Sequence, residues 1–339
     1  MKNKIAIASA FVAASIFSMG EIVVNDFLSF EGFVDSSYSH TDIDTEGNAD
    51  SDNSNDFRVD QVEISWLFDF DTVTAQIDLQ YEDSADEDAG AVEQAFVNYA
   101  LANGDVATAG RYASMLGFEA FEPTGLYQNS TAYTASGLPG YAQGVKYTRE
   151  SDASFFGISI QDEAFDTDGA NNLSSSSYAV EVAYAQDLGD GITAFIGAAY
   201  EDADAGDTYI VNTYVTYETG AWLFAAEVNF GNSENGAFNI TEAFDVTNAT
   251  VGGDDVDVIS GLLMANFAYS DDSSVTARLS YEEVESTTEE GDVTKYTLAH
   301  NKALADNLAL IVELSYADAD INDIDVDESE LAVELLFTF

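Results

Sequence analysis

Few residues of this 339-residue chain are equipped for chemistry. There is no cysteine, and the only histidines are His40 and His300. A chain without thiols has no disulfide framework, no thiolate nucleophile and no sulfur-ligated metal. The two histidines lie far apart in the pattern, and neither has a serine and an acid matched to it on a neighbouring face, so no hydrolytic triad can be assembled. What remains is carboxylate chemistry: 63 Asp and Glu stand against 9 Lys and Arg, for a formal net charge of -54. Such a surface repels nucleic acid, which removes DNA and RNA as partners. Carboxylates can also bind calcium. The run Asp42-Ile43-Asp44-Thr45-Glu46-Gly47 opens like a calcium loop, but Asn53 stands where the closing bidentate Glu belongs. The run from Asp318 to Glu330 is equally dense in acids. Both read more simply as solvated acidic loops. The sequence therefore predicts no enzyme, no cofactor and no metal centre.

The elements that must position these groups have a period of two. Val73, Ala75, Ile77, Leu79 and Tyr81 alternate with Thr74, Gln76, Asp78 and Gln80, so one face meets an apolar medium and the other meets water. Leu331, Val333, Leu335, Phe337 and Phe339 repeat the pattern at the end of the chain. Sixteen such segments are predicted: 27–38, 58–70, 72–82, 91–102, 105–112, 141–149, 153–162, 176–187, 191–201, 207–218, 221–230, 256–270, 273–283, 293–301, 307–316 and 329–339. The segment at 293–301 is the weakest, since it points His300 outward. From the first segment onward every second connection is a short turn, such as Asp71, Asn103-Gly104 or Thr219-Gly220. The others are mostly longer and polar: 39–57, 83–90, 113–140, 163–175, 202–206, 231–255, 284–292 and 317–328. Short turns on one side and long loops on the other are the signature of a membrane barrel.

Aromatic residues fall where two interface girdles belong. Tyr38, Tyr81, Tyr112, Tyr200, Phe230, Tyr281 and Tyr316 stand near the loop ends. Phe68, Phe70, Tyr99, Tyr147, Tyr184, Tyr217, Phe267, Tyr269, Phe337 and Phe339 stand near the turn ends. The first twenty residues read as a secretory signal. Lys2 and Lys4 precede an apolar Ile5-to-Phe17 stretch, and Ser18 and Gly20 lie before a cut at Glu21. A soluble β-sandwich also alternates, but it fills its inner face with large apolar side chains. Here the inner face is rich in Glu, Asp, Gln, Ser, Thr and Gly. The predicted fold is thus all-β: a transmembrane antiparallel β-barrel of about 16 strands spanning 21–339, exported behind a signal peptide at 1–20 and residing in an outer membrane.

Certain motifs carry a resemblance. The chain ends in Phe339 after an alternating strand, an ending similar to the assembly signal of Gram-negative outer-membrane barrels. Glu93-Gln94-Ala95-Phe96-Val97-Asn98-Tyr99 resembles the strand before the constriction in porins. Gly110-Arg111-Tyr112, Gly117-Phe118-Glu119, Tyr127 and Gly144-Val145-Lys146-Tyr147 resemble the OmpL-like porins, with Met115 and Leu116 where that family usually has a proline. The resemblance implies a water-filled channel whose third loop, the 28-residue stretch 113–140, folds inward as an eyelet bearing Glu119 and Glu122. It also implies the barrel assembly machinery, outer-membrane lipid and lipopolysaccharide as partners, and a homotrimer. The small outward residues assigned at Ala95, Thr108 and Gly110 suit a contact between copies. Divalent ions could bridge the acidic loops to lipopolysaccharide.

On the lumen parity, Arg111, Lys146, Arg278 and Lys295 provide wall cations, while Glu63, Asp78, Glu181 and Glu227 provide wall acids. Loop carboxylates facing Arg111 and Lys146 would set up a transverse field, and the excess of acid predicts a preference for cations. Passive diffusion of ions and small hydrophilic solutes is the expected activity. Two alternatives remain: a barrel whose acidic loops bind a partner without transport, favoured by a plugged lumen, and a solute-specific channel with Phe96, Phe195 and Tyr214 as an inner aromatic track.

Overall fold

The computed structural model describes residues 20–47, 52–82, 91–133, 137–165, 178–203, 206–234, 238 and 255–339. The predicted signal segment, except Gly20, and large parts of the loops at 83–90, 163–175 and 231–255 lie outside the described residues.

Sixteen long strands form the wall: β2 (Leu28–Thr45), β3 (Asp52–Phe70), β4 (Val73–Glu82), β5 (Ala91–Ala100), β6 (Val106–Ala113), β7 (Tyr141–Glu150), β8 (Ser154–Gln161), β9 (Tyr178–Gly189), β10 (Ile192–Ala203), β11 (Gly206–Thr219), β12 (Trp222–Ser233), β13 (Val256–Ser270), β14 (Ser273–Glu285), β15 (Glu290–Ala305), β16 (Leu308–Ile321) and β17 (Asp325–Thr338). Every strand pairs antiparallel with its neighbours in sequence, and β17 closes on β2 from Thr338↔Phe33 to Val326↔Thr45. Closure leaves no unpaired edge, which is the condition for strands to cross a bilayer. No helix among the described residues is long and apolar enough to cross a membrane.

A short strand not foreseen in the sequence, β1 (Ile22–Asn25), hairpins back onto the start of β2 with Ile22↔Phe30. Phe339 ends beside it. Its backbone exchanges both hydrogen bonds with Gly32 at 2.9 Å, and its ring packs near Phe30 and Phe337. Gly32 is required there, since a Cβ would sit 2.2 Å from the Glu63 carbonyl oxygen and 2.8 Å from the Phe339 ring.

Tight turns join the strands at one end, with Asp71 (φ 63°) and Gly220 (φ 61°) taking the left-handed conformation that such reversals need. At the other end, four of the eight predicted loops are shorter than expected. Strands β2 and β3 run on to Thr45 and from Asp52, where Asp42 pairs with Asn53, so the calcium-loop reading gives way to a hairpin. Strands β16 and β17 likewise run to Ile321 and from Asp325, and the segments at 202–206 and 284–292 are also mostly strand. The acidic residues misled the boundaries because they alternate too. Asp318 and Asp320 face water while Ala317, Ala319 and Ile321 are buried inside, so the ladder continues beyond the apolar band.

The expected girdles are present, with Tyr38, Tyr81, Tyr200, Phe230, Tyr281 and Tyr316 exposed at the loop ends and Phe70, Tyr99, Tyr184, Tyr217 and Tyr269 at the turn ends. Tyr112 is a correction. It is 1% exposed and lies inside the barrel. In β6 both faces carry small residues, so hydropathy alternation does not fix which face is inward. The same inversion places Thr108 inside, where its Oγ1 donates to Asn98 at 2.7 Å. Gly110 shares that inner register, opposite Phe96 and Gly144, so neither residue belongs to an outward contact patch.

Candidate functional site

The described residues between Ser114 and Gly140 turn into the barrel and are seated on the wall. The first part of this loop lies against β8 to β12. Met115 Sδ and Leu116 Cδ2 occupy the space that a Cβ on Gly157 and on Gly197 would take, at 2.3 and 2.2 Å. Two wall glycines thus form sockets for two apolar loop residues. Phe118 meets Tyr214 edge-on at 5.8 Å, and Tyr214 stacks on Phe195 at 4.5 Å. Phe195 and Tyr214 are therefore part of the loop's seat, and Phe96 is buried in the wall; the three form no aromatic track.

Polar wall residues finish this seat by accepting the loop's backbone N–H groups. Glu181 accepts from Met115 N at 2.6 Å and from the Ser114 hydroxyl at 2.7 Å. Glu227 accepts from Phe118 N at 2.7 Å, from Asn212 at 2.7 Å and from the Tyr133 hydroxyl at 3.0 Å. A buried loop backbone needs such partners, because an unmet donor away from water is costly.

The second part of the loop lies against β14 to β17. Arg278 is its main anchor, with a side chain 0% exposed. Its Nη1 pairs with Glu119 Oε1 at 2.5 Å and donates to Ser130 O at 2.8 Å, while Nη2 reaches Thr131 O at 2.9 Å. The other Glu119 oxygen accepts from Ala132 N at 2.7 Å. Thr276 and Asn301 both donate to the Tyr127 carbonyl, at 2.9 and 2.6 Å. Glu313 accepts from the backbone N–H groups of Asn129 and Ser130, Glu334 accepts from the Asn129 side chain, and Lys295 Nζ lies 3.4 Å from Thr131 O.

Between these two seats the loop crosses toward β3. Pro123 opens a single 3-10 turn, Pro123–Gly125, and Glu122 just before it accepts from Tyr141 OH at 2.8 Å and from Gln61 Nε2 at 2.9 Å. Burial of the Glu122 carboxyl holds its pKa above the ordinary carboxylate value. Glu63 and Glu93 stand close to it. Asp78 is fully buried on the same arc and is held by Gln76 and by Gln94 at 2.8 Å.

Of the expected eyelet residues, the structure brings Glu119 to Arg278 and Glu122 to Glu63. It does not bring either loop carboxylate to Arg111 or Lys146. Lys146 lies 4.2 Å over the Tyr112 ring, with Nζ 3.4 Å from the Ala113 carbonyl. Arg111 shares the register of Ala95 and Gln143, on the face opposite Lys146, and its Nε donates to the Glu93 carbonyl at 2.9 Å. The expected lumen parity of Arg111 is thus corrected, for the same reason as that of Tyr112. Sequence reasoning missed Glu93, Glu313, Glu334, Asn301 and Thr276. All lie inside and all are polar, but only a loop path through space distinguishes them from other lumen polar groups. The glycines at 157 and 197 were the legible signal, since each interrupts a strand with a bare inner position.

A closed sixteen-stranded barrel narrowed by an inward third loop defines an outer-membrane porin-type channel. The family comparison makes this specific: residues 28–339 match the family described as "Putative beta-barrel porin-2, OmpL-like", and the chain belongs to it. It is accordingly a multi-spanning, non-catalytic channel protein of the Gram-negative outer membrane. Solved structures share the fold at low identity. OmpT of Vibrio cholerae aligns with a TM-score of 0.66 at 13% identity, over 94% of this chain and 100% of that one. An anion-selective porin from Comamonas acidovorans gives 0.65 at 13%, over 92% and 99%. The outer membrane channel DcaP of Acinetobacter baumannii gives 0.66 at 10%, over 92% and 97%. No curated protein sequence matches.

Proposed function

We propose that the protein is a diffusion channel for ions and small hydrophilic solutes that prefers cations. The observation that carries this reading is the placement of charge. On the arc from β2 to β5, Asp35, Glu63, Asp78 and Glu93 are buried on the inner face and Glu122 joins them from the loop, while Arg278 is consumed by its pairing with Glu119. Acids without matching cations just behind the lumen surface would make its potential negative, which raises local cation concentration and excludes anions. The test is single-channel recording of the refolded chain in a planar bilayer under a salt gradient. Large steps with a cation-selective reversal potential are expected; an anion-selective potential would overturn the preference.

The second reading is a barrel whose acidic loops bind a partner without transport. It is favoured by the extent of the loop's seat, which spans β9, β11, β12 and β14 to β17. A correctly folded barrel that passes no current would select it. We further propose removal of residues 1–20, read as a mature N-terminus at Glu21, and recognition of the Phe339 end by the assembly machinery. We also propose a homotrimer; crosslinking that traps only monomer would remove it.

A further inference from the structure

Three carboxylates meet at the point where the eyelet loop crosses to β3. One oxygen from each of Glu63, Glu93 and Glu122 lies within 4.8 Å of the other two. Each comes from a different part of the fold. Glu63 lies on the inner face of β3 and Glu122 on the loop. Glu93 is the extra residue of a bulge: Asp78 pairs with Gln94 and Leu79 with Val92, so Glu93 has no partner across the ladder and its side chain turns inward. Arg111 Nε donates to the Glu93 carbonyl and so helps to hold this bulge in shape.

The cluster lacks positive charge. No Lys or Arg nitrogen among the described residues lies within ion-pair distance of any of the three. Glu63 and Glu93 are each 5% exposed, and Oε2 of both is buried without a hydrogen-bond donor. The other Glu63 oxygen accepts from Ser65 at 2.8 Å, and both Glu122 oxygens are fixed by Tyr141 and Gln61. Glu63 and Glu93 thus each keep one buried carboxyl oxygen without a donor beside a third carboxylate, and a cation at their centre would satisfy them.

We propose that Glu63, Glu93 and Glu122 form a calcium site that staples the eyelet loop to the barrel wall. The donor set is wholly oxygen, which suits a hard cation and not zinc or copper. Calcium binds oxygens at about 2.3–2.6 Å in flexible geometry, so ligands on opposite sides of the ion stand roughly 4.6–5.2 Å apart, the scale of this cluster. Three carboxylates also exceed the charge of one divalent ion, so no further protein anion is needed. The site goes beyond the channel reading and does not depend on it, because binding can be measured without any current.

The experiment is calcium chloride titration, by calorimetry, of the refolded chain in detergent with excess sodium chloride to suppress diffuse binding by the acidic surface. One site well above that background is expected. Glu63→Gln, Glu93→Gln and Glu122→Gln should each weaken it by about tenfold or more. Asp318→Asn with Asp320→Asn, outside the cluster, should leave it unchanged. Calcium should also raise the melting temperature of the unmodified chain and not that of Glu122→Gln. Glu122 lies on the loop, so this variant leaves the wall strands intact and its folding is checked by its electrophoretic mobility before and after heating. No site above background, or a site that survives Glu93→Gln and Glu122→Gln, would overturn the proposal. A silent channel that still shows the site would count against the porin reading alone.

Discussion

Two arcs of the inner wall receive the same loop in opposite ways. From β8 to β13 the wall offers Phe155, Phe195, Ile210, Leu262 and Met264, bare glycine sockets, and two carboxylates, Glu181 and Glu227, that each accept from a loop N–H and a loop hydroxyl. From β2 to β5 it offers Asp35, Glu63, Asp78 and Glu93, with several carboxylate oxygens left without donors. The first arc is built like a protein core and fixes the loop by packing and by hydrogen bonds to its backbone. The second packs acids together behind the inner surface without matching cations among the described residues. The loop is therefore anchored on one side and electrostatically poised on the other, and the two sides should respond differently to the same kind of change.

The largest effect is expected next to the anchored arc, on β14, where the loop's second seat depends on a buried charge. Arg278→Met removes the guanidinium and leaves Glu119 mostly buried, with a side chain 13% exposed and no counter-charge. Breaking a buried pair in this way costs about 3–5 kcal/mol. Denaturant unfolding of the detergent-folded chain should show this loss, and Arg278→Met combined with Glu119→Gln should recover part of it. A single variant as stable as the parent would mean that the pair does not hold the loop. Next come the seats on β9 and β10. Glu181→Ala strands the Met115 N–H and the Ser114 hydroxyl, and should cost about 1–3 kcal/mol. Gly197→Val forces its side chain into the position of Leu116, an overpacking of similar size. Both should raise cleavage of the loop by added protease and increase conductance. Unchanged conductance with a freed loop would show that the loop does not set the aperture.

The barrel was legible because a closed sheet imposes one rule on every strand. Lipid outside and water inside force the period of two, and turn-loop asymmetry then gives strand number and direction. The rule fails where it is locally silent. In β6 small residues occupy both faces, so the alternation does not reveal that Tyr112 faces in and Arg111 faces out. In β16 and β17 acids alternate beyond the membrane, so a polar stretch that reads as loop is strand. The site was less legible because it is made by long-range pairs. Glu119 and Arg278 are separated by 159 residues, and no local pattern couples them. Glu93 was hidden by a bulge, which shifts inward parity by one residue without a sequence signature beyond the extra acid itself.

The smallest effect is expected outside the lumen, and it separates the loop seat from the barrel's own stability. In the turn before β6, Asp105 accepts from Arg149 Nη2 at 2.8 Å and from the Tyr147 hydroxyl. Hydrogen bonding to the Arg149 guanidinium, then to Tyr147, holds the Asp105 carboxyl well below the usual carboxylate range. A depressed folded-state pKa contributes stability above the unfolded value of about 3.9, and that contribution is lost as pH falls below it toward the folded value. Asp105→Asn should therefore melt below the parent at neutral pH, by a small margin because the Arg149 side chain is 60% exposed. The margin should shrink as pH drops below about 4. Melting curves of both proteins across that range decide it. Because the pair touches no part of the eyelet, loop cleavage should be the same in both proteins at every pH; a difference would mean that the turn and the loop are coupled through β6, and that the two arcs are not mechanically separate.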